Sequence, residues 1–330
     1  MNYLPAPDRY DGKMPYNRCG KSGLLLPAIS LGLWHNFGDT ASFDNCQEMI
    51  RCAFDHGITH FDLAHNYGPA PGAAEETFGR ILQKNPHIRR EELVISSKAG
   101  HEMWPGPHGN GGSRKMLITS LDQSLRRMQL DYVDIFYSHR YDPDTPLEET
   151  LQTLVDIVRS GKALYAGISK YPVAQAGFAY KYLRERDVPC LVYQGRYSLF
   201  NREPEAEIIN QANQHGVGFI AFSPLAQGLL TNRYLNGIPK DSRIARPEGF
   251  LKAEQLSAEV LAKINSLHEI ATGRGQTLAE MALAWLLDNP LVTSVVIGAS
   301  STNQLLTNLK AIHYRPFTDD ERIAINQICL

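Results

Sequence analysis

Four side chains with acid–base chemistry stand near the ends of consecutive short apolar runs in the sequence. Asp62 and Tyr67 follow the second run, Lys98 closes the third, and His139 follows the fourth. A phenol has a reference pKa of about 10, so Tyr67 is a useful proton donor only where its anion is stabilised. The ammonium of Lys98 can stabilise that anion, and Asp62 can hold the ammonium charged and oriented. With His139 hydrogen-bonded to a substrate oxygen, the group predicts machinery that protonates an oxygen.

Each of these residues, taken alone, also has a purely structural explanation. Asp62 can cap a loop and Tyr67 can pack against its neighbours. Lys98 can be a solvated strand end, and His139 a hydrogen-bonded residue of a rim. The chemical interpretation therefore depends on whether the fold brings the four together.

The elements that would position them alternate between short apolar runs and longer amphipathic segments, which is typical of βα units. The predicted strands are 28–33, 59–62, 93–97, 133–137, 163–167, 190–194, 218–222 and 294–297. The predicted helices are 42–56, 73–83, 113–128, 146–160, 172–186, 204–215, 256–272, 277–287 and 302–312, with a last helical pattern at 323–329. Gly57, Gly161 and Gly216 each follow a helical pattern where a left-handed residue often ends a helix. Eight such strands predict a (β/α)8 barrel, whose active site lies at the carboxyl ends of its strands.

A doubly wound open sheet is the competing architecture, because it also alternates strands and helices. It usually shows a Gly-x-Gly-x-x-Gly turn after an early strand. The glycine cluster at 106–112 follows the third predicted strand by several residues and contains Pro107 and His108, which is typical of a loop.

Three segments exceed a minimal barrel. Residues 15–27 predict an N-terminal β-hairpin over the bottom of the barrel, and residues 99–112 and 224–255 predict long loops on the active-site face. We expect residues 1–330 to form a single domain.

Composition and charge exclude several classes of protein. The chain of 330 residues has 33 basic and 35 acidic side chains, a net charge of −2, so it offers no general attraction to nucleic acid. No apolar run is long enough to span a membrane, and no signal peptide is apparent, so we expect a cytoplasmic protein. Five scattered cysteines favour free thiols, and His56 and His60 are separated by a helix end, so no metal site is expected.

Several motifs together carry a resemblance to a known family. They are the run Gly57–Gly68 that contains Asp62 and Tyr67, then Ser97-Lys98, Tyr137-Ser138-His139, Gly167-Ile168-Ser169 and Ile297-Gly298-Ala299-Ser300. In this order, over essentially the whole chain, they resemble the aldo-keto reductase superfamily. The segments 31–37 and 104–114 are similar to the branch of the bacterial L-glyceraldehyde 3-phosphate reductases, to which the potassium-channel β-subunits are related.

The resemblance implies a (β/α)8 barrel, NADPH as cofactor, and carbonyl reduction by a tetrad of Asp62, Tyr67, Lys98 and His139 with the tyrosine as general acid. It places Trp34, Asp62, Ser169 and Gln194 around the nicotinamide and its ribose. The full set of cofactor residues that it implies is Trp34, Asp62, Ser169, Gln194, Ser223, Pro224, Leu225, Gln227, Gly228, Arg233, Arg243, Gly298, Ser300, Gln304 and Asn308.

Within that set, Ser300 and Arg243 are the candidates for the 2′-phosphate of NADPH. Two departures from the pattern leave contacts open. Thr307 stands where channel subunits usually have an acidic residue, and Lys170 stands where Asn or Arg is frequent.

A small aldehyde is the expected substrate, held by Trp34, Tyr67, His139 and Trp104. The resemblance favours L-glyceraldehyde 3-phosphate, and methylglyoxal is the alternative. His101, Arg114 and Arg140 lie in or near the predicted rim loops and could meet a phosphate, or they could be solvated.

Two other functions stay open. A cofactor-bound regulatory or scaffold protein of the channel-subunit type is the runner-up, and the complete tetrad favours turnover over it. A sugar-phosphate isomerase barrel would need a glutamate base at a strand end, which the sequence lacks. The sequence leaves open whether the chain forms a homo-oligomer.

Overall fold

Eight parallel strands close into a barrel, which confirms the predicted architecture. The computed structural model describes residues 3–235 and 256–329. A hairpin of β1 (Tyr16–Arg18) and β2 (Leu25–Pro27) comes first. The barrel strands are β3 (Ile29–Gly32), β4 (His60–Asp62), β5 (Val94–Ala99), β6 (Val133–Ser138), β7 (Ala163–Ser169), β8 (Cys190–Arg196), β9 (Gly218–Phe222) and β10 (Ser294–Ile297). They pair in chain order, and β10 pairs with β3 to close the barrel.

Helices surround the barrel at the predicted places. They are α1 (Phe43–Asp55), α2 (Ala73–Lys84), α3 (Arg114–Met128), α4 (Leu147–Arg159), α5 (Val173–Arg184), α6 (Ile208–Gln214), α7 (Ala258–Gly273), α8 (Leu278–Leu287), α9 (Thr302–Leu309) and α10 (Asp319–Cys329). Side-chain caps start several of them; Thr277, for example, forms a capping box with Glu280. Gly57, Gly161 and Gly216 have the positive φ expected of left-handed residues after a helix.

Three helical predictions differ in detail from the structure, and one of them, at 323–329, belongs to a helix that begins four residues earlier, at Asp319. Within the pattern at 204–215, only Ile208–Gln214 is α-helical, and the 3-10 turn Glu203–Glu205 precedes it, because Pro204 favours the start of a short turn. The pattern at 302–312 ends as an α-helix at Leu309 and continues as the 3-10 turn Lys310–His313.

Strand register brings the predicted functional residues to one rim. Asp62 pairs with Ser96, and Lys98 pairs with Tyr137, so both charged side chains lie at carboxyl ends of neighbouring strands. His139 follows directly after β6. The barrel therefore delivers the tetrad to the face where barrels of this type place their active sites.

The hairpin covers the opposite end of the barrel. Backbone and side-chain hydrogen bonds tie it to residues that precede β9 and β10: Lys21 N donates to Gly216 O at 2.8 Å, and Asn17 Nδ2 donates to Thr293 O at 2.9 Å. Gly20 has a φ of 56°, and a Cβ there would collide with the carbonyl of Gly216. The hairpin predicted at 15–27 is therefore a close-fitting floor, and glycine is required at its turn.

No helix in the described part of the chain is both long and apolar enough to cross a membrane.

Candidate active site

The ammonium of Lys98 is the centre of the tetrad. Its Nζ donates to Asp62 Oδ2 at 2.6 Å, to the carbonyl of Leu63 at 2.8 Å and to the Tyr67 hydroxyl at 3.4 Å. An ammonium has three protons, so all of them have a partner. The ring of His139 stands edge-on to that of Tyr67, with centroids 6.0 Å apart. The structure thus places the four predicted residues in one connected group.

Burial and mutual attraction set the charges of the ion pair. Burial raises the pKa of the Asp62 carboxyl, but the Lys98 ammonium and the hydrogen bonds to the carboxylate lower it more, so the net shift is downward. Burial lowers the pKa of Lys98, and the attraction of Asp62 offsets only part of that shift.

The phenol of Tyr67 keeps its proton. Burial and, secondarily, the negative charge of Asp62 raise the pKa of Tyr67 well above its usual range. This direction is opposite to the one expected from the ammonium alone, because a phenolate here would be buried and would face the carboxylate of Asp62. A protonated phenol beside an ammonium can release its proton only to a strongly basic oxygen, and Lys98 then stabilises the anion that remains.

His139 is neutral. Burial first, and then the positive charges of Lys98 and Lys170, hold the pKa of His139 well below its usual range. Its Nδ1 is buried and has no hydrogen-bond partner among the described residues. A neutral imidazole at this place can donate one hydrogen bond to a substrate oxygen.

Inside the barrel, a chain of hydrogen bonds leads to Asp62. Ser294, Ser30, His60 and Ser96 form this serine–histidine chain, with contacts of 2.6, 2.8 and 3.1 Å in that order. Ser96 Oγ donates to Asp62 Oδ1 at 2.7 Å, because an ionised carboxylate only accepts. Because the Ser96 hydroxyl gives its proton to Asp62, His60 donates to Ser96 through Nε2. This serine–histidine chain fixes the orientation of the Asp62 carboxylate from the inside of the barrel.

A first cavity of about 230 Å³ lies beside the tetrad. Of the predicted cofactor residues, it is lined by Trp34, Asp62, Ser223, Pro224, Leu225, Gln227, Gly228, Arg233, Gly298, Ser300 and Gln304. In the loop after β9, Ser223, Ala226 and Gln227 have φ values of 54°, 46° and 59°. Left-handed residues in a short turn point backbone N–H groups to one side and form a concave site for anions. This wall therefore fits the pyrophosphate of a dinucleotide.

A second cavity of about 380 Å³ opens on the other side of Tyr67. Its lining includes the predicted residues His139, Ser169 and Gln194. Ser169 Oγ is buried and has no hydrogen-bond partner in the described part of the chain, which leaves it available to a ligand. Gln194 Nε2 donates to Asp62 Oδ1 at 3.1 Å. The two cavities share Trp34, Tyr67, Phe222, Ser223 and Gln227, so the phenol lies where they meet.

Comparison with known proteins agrees with this geometry. A profile of the Aldo/keto reductase family matches residues 28–329. The chain belongs to the aldo/keto reductase family. It is therefore an oxidoreductase, and proteins of this family generally use NAD(P)H.

The similar relatives fall into two groups. L-glyceraldehyde 3-phosphate reductase of Escherichia coli K12 is 54% identical over 99% of this chain and 95% of its own length. The protein of the same name from E. coli O157:H7 is 53% identical over the same shares. A probable voltage-gated potassium channel subunit beta of Arabidopsis thaliana is 38% identical over 92% of each chain.

Some predicted site residues of this aldo/keto reductase lie away from the cavities. Trp104 lines neither of them. Asn308 also lies outside both linings; it is only 2% exposed, and its Nδ2 has no partner among the described residues. Thr307 Oγ1 donates to Asn303 O in its own helix, so it has no link to either cavity. Arg243 lies outside the residues that the structure describes.

The two arginines predicted to meet a phosphate are engaged elsewhere. Arg114 begins α3 and forms an ion pair with Asp156 of α4. Arg140 donates to Gly100 O at 2.9 Å and to Asn110 Oδ1 at 3.0 Å. Neither lines a cavity, because a nearer acceptor holds each guanidinium. His101 does line the second cavity.

Sequence reasoning missed Arg196 and left Lys170 unassigned, yet both line the second cavity. β8 runs two residues beyond its predicted end at 194. Side chains two apart on a strand point the same way, so the prediction of Gln194 in the mouth could have indicated Arg196 as well. No cluster of three or more metal-ligating side chains occurs within residues 3–235 and 256–329.

Proposed function

We propose that the protein catalyses the NADPH-dependent reduction of small aldehydes to alcohols. The observation that carries this proposal is a buried Asp62–Lys98 ion pair in contact with the half-buried phenol of Tyr67, which lines both cavities. One cavity has a loop suited to the phosphates of a dinucleotide, and the other has room for a small organic molecule, so the phenol can reach a carbonyl oxygen presented beside the cofactor.

The residues of the first cavity and its neighbours fit the cofactor. Trp34, Asp62, Ser169 and Gln194 would hold the nicotinamide end, and the left-handed loop at 223–228 would hold the pyrophosphate. At the other end, Gly298, Ser300 and Gln304 would meet the adenosine, with Ser300 and Arg243 at the 2′-phosphate. The bound dinucleotide supplies a hydride to the carbonyl carbon.

The chain's own residues then manage the proton. His139, being neutral, donates a hydrogen bond that directs the carbonyl oxygen towards Tyr67. As the oxygen becomes an alkoxide, the Tyr67 hydroxyl gives it a proton, and the O–H bond of the phenol breaks. Lys98 stabilises the resulting phenolate over a contact of 3.4 Å. Asp62 keeps the ammonium charged and in place.

Small aldehydes such as L-glyceraldehyde 3-phosphate and methylglyoxal are the proposed substrates. The name of the E. coli relatives supports the first. A regulatory or scaffold role is the second candidate, because the plant relatives are named as channel subunits. The intact tetrad favours turnover.

The test is a panel of aldehydes assayed by the disappearance of NADPH and, separately, NADH. Glyceraldehyde 3-phosphate, glyceraldehyde and methylglyoxal form the panel. Steady oxidation of NADPH by at least one of them, faster than that of NADH, supports the proposal. Tight binding of NADPH without turnover of any aldehyde would instead favour the scaffold function.

A further inference from the structure

One wall of the second cavity is cationic. Lys170 and Arg196 line it, and no carboxylate is among its described lining residues. Both cations are exposed at the mouth, and neither forms an ion pair with any residue in the described part of the chain. An unneutralised pair of cations in a concave site attracts an anion.

A neighbouring histidine orients the lysine. Lys170 Nζ lies 2.8 Å from Nε2 of His101. Burial first, and then Lys170 and Arg140, lower the pKa of His101 to about 4, so the imidazole is neutral and its Nε2 accepts from the ammonium. His101 in turn stands edge-on to His139, with ring centroids 4.5 Å apart. The ammonium is therefore held about one side chain away from the group that binds the carbonyl oxygen.

The backbone conformation and the surroundings of Lys170 are energetically unfavourable. The ammonium end of the side chain is partly buried against His101, and this burial, together with the nearby charges of Lys98, Arg140 and Arg196, lowers the pKa of Lys170 to about 8, although the side chain as a whole is exposed. Its backbone has a φ of 56°, the left-handed region that is unfavourable for a residue with a side chain. Strain and like-charge repulsion at the rim of a cavity are typical of a binding site.

We propose that Lys170 and Arg196 bind a small anionic group, such as a phosphate, at the end of the aldehyde substrate away from its carbonyl. The inference rests on the proposed function, because it treats the second cavity as the substrate side. The pair does not line the first cavity, so the phosphates of the dinucleotide lie against different residues. Lys170 and Arg196 thus determine specificity, in place of Arg114 and Arg140.

Kinetics with paired substrates test the proposal. The parent protein should show a kcat/KM for glyceraldehyde 3-phosphate roughly 10- to 100-fold above that for glyceraldehyde, the range expected of charge-assisted hydrogen bonds. Lys170→Gln and Arg196→Gln should each remove most of this advantage, because the kcat/KM for glyceraldehyde 3-phosphate should fall much more than that for glyceraldehyde. Succinic semialdehyde, which carries a carboxylate in place of the phosphate, tests whether the site also binds a carboxylate.

Matched controls exclude a general effect of charge. Lys181 is an exposed lysine of α5, and Arg114 is the partner of Asp156; neither lines a cavity. Lys181→Gln and Arg114→Gln should leave the preference unchanged. Lys170→Arg should retain most of it.

A binding measurement keeps the proposal separate from turnover. Glycerol 3-phosphate, titrated into the protein in the presence of NADP⁺, should bind the parent more tightly than glycerol and bind the two variants weakly. Absence of turnover with every aldehyde would contradict the proposed function, and the titration would still decide on the anion site. The anion site would be overturned by any of three results. These are equal losses of kcat/KM for both aldehydes in the variants, a loss of their NADPH affinity, or unchanged binding of glycerol 3-phosphate.

Discussion

Lys98 and Asp62 form an ion pair of 2.6 Å from which water is almost completely excluded, with side chains 0% and 3% exposed. Lys98 also contacts the Tyr67 hydroxyl, so one buried charge serves both the fold and the proposed proton transfer. The two roles can be separated by experiment, because stability depends on charge balance and turnover depends on the ammonium itself.

Removing one member of the pair should be far worse for stability than removing both charges. Lys98→Met leaves the Asp62 carboxylate buried and unpaired, at an expected loss of about 3–5 kcal/mol in the free energy of unfolding. The double variant Lys98→Met with Asp62→Asn should recover much of that loss and stay inactive. Urea unfolding and NADPH oxidation measure the two effects. A double variant no more stable than the single one would contradict this account.

Loss of the phenol should remove the proton donor and little else. Tyr67→Phe keeps the ring between the two cavities, so we expect turnover to fall by a factor on the order of a hundred or more with little change in NADPH affinity. Cofactor affinity can be followed by fluorescence titration. Near-parental reduction of aldehydes by this variant would mean that another group supplies the proton.

The preference for a phosphorylated substrate should depend on pH. Lys170, with a pKa of about 8, is charged below that pH and neutral above it. The ratio of kcat/KM for glyceraldehyde 3-phosphate to that for glyceraldehyde should therefore fall as the pH rises from about 7 to 9. Taking the ratio cancels effects of Lys98 that both substrates share. Arg196 should maintain part of the preference, and Lys170→Gln should make the ratio independent of pH over this range.

Salt should weaken the same preference. Lys170 and Arg196 are exposed at the mouth, so their attraction to an anion is screened as ionic strength rises. We expect the advantage of glyceraldehyde 3-phosphate to shrink between low and high salt, with little change for glyceraldehyde. If the two aldehydes respond alike, the exposed cations are not what distinguishes them.

Buried neutral histidines should make the fold sensitive to acid. Burial lowers the pKa of His60 to about 4 and that of His65 to about 3. In the unfolded state both histidines bind protons near pH 6.5. Below that pH the unfolded state therefore holds more protons than the folded state, and stability falls as the pH is lowered. Each contributes up to about 1.4 kcal/mol per pH unit between its two pKa values. The free energy of unfolding, measured with urea at several pH values from 7 to 5, should fall less steeply with decreasing pH for His60→Gln than for the parent. This holds even if the variant is less stable throughout.

Local pattern was enough to predict the barrel and the meeting of Asp62, Tyr67, Lys98 and His139 at one rim. Asp62 and Lys98 close short apolar runs, and parallel strands bring such ends together. The cationic wall could not be predicted in the same way, because β7 and β8 each continue two residues past the apolar run, to Ser169 and Arg196.

Long-range contacts and burial account for the remaining differences. Arg114 is drawn to Asp156, 42 positions away in the chain, and no local motif indicates that pair. The direction of the Tyr67 pKa shift likewise follows from burial of its hydroxyl beside Asp62, which depends on the assembled barrel.

The hairpin lies at the opposite end of the barrel from the mouth, so stability and activity, which often compete in enzymes, depend here on different regions. The proposed substrate preference depends on Lys170, in its strained backbone conformation at the mouth, whereas Lys21 and Asn17 fasten the opposite end. Substitutions that tighten the floor act a full barrel length from the chemistry, so they can raise thermal tolerance without stiffening the loops that admit a ligand. Directed evolution towards a more heat-resistant catalyst should therefore begin at the hairpin and leave the opposite rim unaltered.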